Sequence, residues 1–205
     1  MRFLDWLVSN FTPYECLGCE AEGCLLCAGC ISLLPEAENF GDKTKFLQSL
    51  QSATPYKGLA KDLIWKFKSE GAVTTAKIMA KLMLPLLPAN DLIIVAVPTA
   101  TSRVRQRGYD QAQLIARELA RQSGLPSINC LARSTQAHQV GSSREQRLRQ
   151  LTGAFRVTKP RLVKGARILL VDDVVTTGAT MEVAASVLYR AGAVSVEGLT
   201  FAQTL

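Results

Sequence analysis

Residues 168–180 read ILLVDDVVTTGAT, and the fold of the chain is decided there. The opening Ile168-Leu169-Leu170-Val171 is apolar without alternation, which suits a strand covered on both faces. Two acids follow, and then Thr176-Thr177-Gly178-Ala179-Thr180, a glycine-bearing turn that opens a helix running to Arg190. Gly192 stops that helix and Val194–Phe201 reads as another strand. Strand, tight turn, helix and strand within about 35 residues predict a βαβ unit and a parallel sheet.

Working outward, Leu92–Val97 is a second unbroken apolar run, bounded by Asn90-Asp91 and Pro98. Leu59, Leu63 and Phe67 share one face of a helix expected over 59–68, and a second helix is expected over 74–84, ending at Pro85. Ala112, Ile115, Ala116 and Leu119 mark a helix over 110–122, closed by Gly124. Residues 1–11 read as a short amphipathic helix, 36–53 as a polar linker, and 131–156 as a mobile segment. The fold class is therefore α/β, with a domain over 54–205 and a small N-terminal unit over 1–50.

The residue types around the loop divide a chemical task. In open α/β sheets ligands sit beyond the carboxyl ends of the strands. Ionised Asp172 and Asp173 only accept hydrogen bonds, which suits the two hydroxyls of a ribose diol. Backbone N–H groups at the start of the following helix, with the hydroxyls of Thr176, Thr177 and Thr180, suit a phosphate, and Gly178 lets the chain approach it. A diol at one end and a phosphate at the other describe ribose 5-phosphate.

The net charge of +7 marks a basic surface, and its distribution is uneven. Between Arg133 and Arg167 stand nine Arg or Lys residues and one acid, Glu145. Arg144, Arg147 and Arg149 lie close enough to follow a single-strand backbone, although Tyr109 and Phe155 are the only aromatics near them. No stretch approaches the roughly 20 apolar residues that span a bilayer, and residues 1–11 lack a cleavage site, so a cytoplasmic protein is expected.

Five of the six cysteines fall between positions 16 and 30. Two CxxC pairs, Cys16/Cys19 and Cys27/Cys30, can offer four thiolates to one tetrahedral ion, so structural Zn²⁺ is expected. Cys24 forms a further CxxC with Cys27 and competes for a place. So small a unit has no core of its own, and the metal would supply its folding energy. Cys130 reads as a buried thiol and His138 as a polar loop residue.

The string Asp172–Thr180 resembles the phosphoribosyl-pyrophosphate (PRPP) motif of type I phosphoribosyltransferases. That resemblance implies diol contacts from Asp172 and Asp173 and a phosphate loop of Thr176, Thr177, Gly178, Ala179 and Thr180. It also implies a pyrophosphate loop after the first strand, here Val97–Arg103, with Arg103, Arg105 or Arg107 facing the pyrophosphate. Mg²⁺ would arrive with PRPP, and residues 134–151 would close over the site. The N-terminal CxxC pair, Tyr56-x-Gly58, Arg105-Gln106-Arg107-Gly108-Tyr109-Asp110-Gln111-Ala112 and Gly153-Ala154-Phe155 are together similar to the ComF family. Members of that family are tied to DNA uptake and natural transformation. The resemblance spans roughly residues 16–203 and implies a PRPP-binding protein that handles single-stranded DNA in competence. Transfer of the ribose to a nitrogen acceptor, and sensing of PRPP without turnover, are the alternatives. Asp110 stands where the family carries an amide, and would oppose any anion it touched.

Overall fold

A computed structural model of the chain describes residues 14–38, 44–69, 72–88, 91–133 and 153–204. The elements run α1 (Ala28–Ser32), β1 (Leu50–Pro55), α2 (Gly58–Ser69), α3 (Ala72–Met83), β2 (Ile93–Ala96), α4 (Thr101–Arg107) and α5 (Gln111–Ser123). Then come β3 (Leu131–Arg133), β4 (Phe155–Val157), α6 (Pro160–Val163), β5 (Arg167–Val175), α7 (Ala179–Arg190) and β6 (Ser195–Gln203).

Four strands form one parallel sheet in the order β1-β6-β5-β2. Strand β5 explains why its sequence does not alternate. Ile168 and Leu170 enter a core with Met181, Ala184 and Leu188 of α7, whereas Leu169 and Val171 enter the opposite core with α2, α3 and α5. Both faces are dry, so both sets of side chains are apolar. The expected parallel α/β sheet is present, and β5 and α7 flank the turn read first.

Two boundaries differ from the sequence reading, each for a physical reason. Strand β5 continues through both acids to Val175, because Asp172 and Val174 stay in register with Thr200 and Ala202 of β6. The end of the segment expected as a linker forms regular structure instead. Leu50–Pro55 is the edge strand β1, paired with β6. Its apolar pattern is interrupted by Ser52 and Thr54, yet both are buried, and the Ser52 hydroxyl meets that of Thr200 at 2.7 Å.

The residues before β1 are strapped to α7 by one buried acid. Glu182 is 2% exposed and accepts the N–H groups of Lys45 and Phe46 at 3.0–3.4 Å. Truncation leaves two donors unmet, and hydrogen bonds to charged groups contribute about 1.5–3 kcal/mol. Glu182→Ala is expected to cost about 3 kcal/mol in urea unfolding, and Glu182→Gln less, because the amide oxygen still accepts.

The cysteine unit does not stand apart. Cys16, Leu25, Leu26 and Cys30 belong to the same buried cluster as Leu63, Phe67 and Met79 of α2 and α3. The unit has no core of its own, as expected, and instead shares the one formed with α2 and α3. On the other side β3 and β4 pair antiparallel, Leu131 opposite Val157. The expected N-terminal helix, the expected lid, His138, Arg144, Arg147 and Arg149 lie outside the described residues. No helix among the described residues is long and apolar enough to cross a membrane.

Candidate functional site: one cleft and a cysteine cluster

A cleft of about 470 Å³ opens at the carboxyl ends of β5 and β2. Asp172, Asp173, Thr176 and Thr180 line it from the β5–α7 segment, and Arg103 and Arg107 from α4. Helical spacing of four residues puts these two arginines on one side, and Arg105 does not line the cleft. The helix begins as early as Thr101, so only Val97–Ala100 of the expected pyrophosphate loop is irregular.

In the β5–α7 turn the Ala179 N–H is donated to Thr177 Oγ1 at 3.5 Å. Gly178 has φ of 75°, in the left-handed region that side chains disfavour, and it begins α7 with no side-chain cap. Glu182, the acid of the first turn, is occupied by the Lys45 and Phe46 amides and does not fold back over the helix end. Thr177 and Ala179 remain part of the loop without lining the cleft. The helix terminus supports negative charge beside it.

At the other end the carboxyl groups crowd. Burial raises the pKa of Asp172 well above the usual carboxylate value, and the charges of Asp173 and Asp110 push it the same way. The Asp173 N–H, donated to Asp172 Oδ1 at 2.8 Å, offsets part of this. Asp172 therefore resists ionisation, and hydroxyl donors or a cation brought by a ligand would relieve it.

Several lining residues lie outside the site residues that the sequence suggests. Arg133, at the end of β3, is half-buried with its guanidinium 5.4 Å from the centre of the Phe155 ring. Burial and the nearby Arg103 lower its pKa, while Asp172 supports its charge. Tyr56, Lys68, Gln111 and Thr204 also line the cleft. They come from four separate segments, and only the fold assembles them. A larger hollow of about 590 Å³ beside β1, lined by Leu34, Leu82, Leu86 and Phe201 among others, contains none of these residues.

The acid at position 110 finds its explanation in this geometry. Asp110 caps α5 by accepting the Gln113 N–H at 3.2 Å, and it accepts both the N–H and the hydroxyl of Thr99 at 3.0 Å. It fastens the Pro98–Ala100 loop to α5. The expected opposition to an anion survives only as its effect on Asp172. Tyr109 donates its hydroxyl to the Phe67 carbonyl and packs on the Phe67 ring, while Phe155 is buried. Neither ring is free for a base to stack on.

The second cluster is the cysteines. The sulfurs of Cys16, Cys19, Cys27 and Cys30 lie within 4.8 Å of one another, and Cys24 is not among them. A tetrahedron with arms of about 2.3 Å has edges of about 3.8 Å, and Cys19 Sγ and Cys27 Sγ stand 3.7 Å apart. The Cys27 N–H, donated to Cys16 Sγ at 3.3 Å, helps hold that thiol down at about 6. Hydrogen bonding to the sulfurs of Cys16 and Cys27, together with burial, pushes Cys30 up to about 12. Four thiolates so close need a cation, and this group is able to hold a metal ion. Gly18 is required here, because a Cβ on it would stand 2.6 Å from Cys30 Sγ. Cys130, by contrast, is buried and pushed up to about 11, an inert thiol.

With this geometry in hand, comparison with known proteins is decisive. The family model of the phosphoribosyl transferase domain matches residues 69–203. The chain belongs to that family. Competence protein ComFC of Bacillus subtilis is 33% identical over 140 residues, 68% of this chain and 52% of ComFC. DNA utilization protein YhgH of Salmonella typhi is 34% identical over 161 residues, 74% of this chain and 68% of YhgH. Competence protein F of Haemophilus influenzae is 31% identical over 107 residues, 51% of this chain and 47% of that protein. These relatives bear out the resemblance to the ComF branch of the type I superfamily. The chain spans about half the length of ComFC and of competence protein F.

Proposed function

We propose that the cleft binds PRPP or a closely related ribose phosphate, and that the protein acts in DNA uptake, where it handles single-stranded DNA. One observation carries the first part: acceptors at Asp172 and Asp173, hydroxyls at Thr176 and Thr180, and guanidinium groups at Arg103 and Arg107 line a single cleft. Diol, 5′-phosphate and pyrophosphate each find a chemically matched wall. Mg²⁺ is taken to enter on the pyrophosphate, which suits an ion that keeps most of its water. Zn²⁺ is the ion we assign to the cysteine cluster, on the strength of four cysteine sulfurs within 4.8 Å of one another.

The second part draws support from the names of the relatives, two competence proteins and a DNA utilization protein. A surface for it lies on α2. Lys61, Trp65 and Lys68 follow at helical spacing on one stripe, Trp65 is 69% exposed, and Lys68 also lines the cleft. An exposed ring between cations leading to a phosphate site suits a single strand read without sequence preference.

Calorimetric titration with PRPP, with and without an oligodeoxynucleotide, tests both parts. PRPP binding that the strand alters joins the two activities, and release of pyrophosphate with any base would add transfer to recognition. Trp65→Ala is expected to weaken single-strand binding by about 1–3 kcal/mol and to leave PRPP affinity unchanged. Equal strand affinity in that variant would remove α2 from the track.

A further inference from the structure

Gln111 lines the cleft and is 3% exposed. Its Oε1 accepts from Nη1 of Arg107. A guanidinium only donates, so this contact fixes which end of the amide is oxygen. The Nε2 end is left with no hydrogen-bond partner. Buried donors are nearly always met in folded proteins, and an exception calls for an acceptor that arrives from outside. The place of Gln111 tells which part of a ligand that acceptor belongs to. It sits on the first turn of α5, beside the Asp110 that fastens Thr99, and within hydrogen-bond reach of Arg107 at the end of α4. This is the arginine wall of the cleft, supplied by the α4–α5 segment and not by the β5–α7 turn.

We infer that Gln111 is a further ligand-binding residue: its amide N–H donates to an oxygen of the pyrophosphate group, and Arg107 holds the amide in the orientation that allows it. The inference rests on the ribose-phosphate reading and deepens it at the pyrophosphate end. A neutral amide there also adds a donor without adding further positive charge to a cleft that already holds Arg103, Arg107 and Arg133, so it recognises oxygen and not charge alone.

The test compares wild type, Gln111→Met and Gln111→Glu in calorimetric titrations with PRPP, inorganic pyrophosphate and ribose 5-phosphate. The Met variant lacks the N–H without adding charge, and the Glu variant lacks it while keeping an acceptor for Arg107. Both are expected to lose at least about tenfold in affinity for pyrophosphate and PRPP. Ribose 5-phosphate should bind within about twofold of wild type in the Met variant. The free Met variant should melt close to wild type, because removal of the unmet donor offsets the lost hydrogen bond from Arg107. Unchanged pyrophosphate affinity in the Met variant overturns the inference and leaves Nε2 to an ordered water. A lower melting point with equal loss for ribose 5-phosphate also overturns it, in favour of a structural role. Wild type that binds none of the three ligands sinks the ribose-phosphate reading itself, and the role of Gln111 with it.

Discussion

Asp172→Asn combined with Asp173→Asn is expected to lower PRPP affinity by about a hundredfold or more while leaving the protein at least as heat-stable near neutral pH. Each carboxylate is assigned a charged hydrogen bond to a ribose hydroxyl, worth about 1.5–3 kcal/mol, so two together exceed a factor of one hundred. The stability half follows from crowding. Asp172 titrates well above the usual carboxylate value because burial, Asp173 and Asp110 all disfavour its charge. Above the ordinary carboxylate pKa the folded state therefore binds more protons than the unfolded state, and stability falls as pH rises toward the pKa of Asp172 in the folded protein. The neutral variant lacks that decline. Over the same window a ligand that favours the ionised pair should bind more tightly as pH rises, with proton release measurable in buffers of different ionisation enthalpy. A double variant that binds PRPP like wild type refutes the assignment of the diol site. One that melts much lower in neutral solution refutes the account of crowding.

Removing the metal is expected to have the second large effect, and to reach far beyond the four cysteines. Cys16 and Cys30 are buried in the cluster that holds Leu63, Phe67 and Met79. Without a cation the thiols cannot all ionise, and the turn carrying Leu25 and Leu26 loses what fixes it. Chelation, or Cys16→Ser, should lower the melting temperature of the whole α/β domain by about 10 °C, as expected for a loss of several kcal/mol in a chain of this size. Gly18→Ala should reproduce part of this by displacing Cys30 Sγ. A domain that melts unchanged after the metal has left would show that the shared core holds without it.

The two centres differ in how much of them the sequence discloses. The Asp172–Thr180 loop and the CxxC pairs are contiguous or nearly so, and local spacing determines their geometry. Arg103 and Arg107 become legible once their segment is known to be helical. Arg133, Lys68 and Thr204 come from elements far apart in the chain, and nothing in their immediate neighbours marks them. Strand β1 escaped notice because Ser52 and Thr54 break its apolar pattern, and the Ser52 hydroxyl is answered only by Thr200 of β6. Asp110 looked like a charge in the wrong place. It proves to be a cap with three donors, two of them on Thr99, eleven positions earlier.

The pairing of β1 with β6 has a consequence for biosynthesis. Leu50 has Gly198 for its partner, so the first of the described strands joins the last of them. On the ribosome the cysteine unit and β1 leave the tunnel well before β6, and the sheet edge they belong to does not exist until β6 has followed. During that interval an exposed edge strand waits beside helices whose apolar faces lack a sheet to cover. Early capture of the metal would hold Leu25 and Leu26 against α2 and shelter part of that surface. Deletion of the final strand should then leave β1 unpaired and the chain prone to aggregate, even though every residue of the cysteine unit and of the Asp172–Thr180 loop is still present.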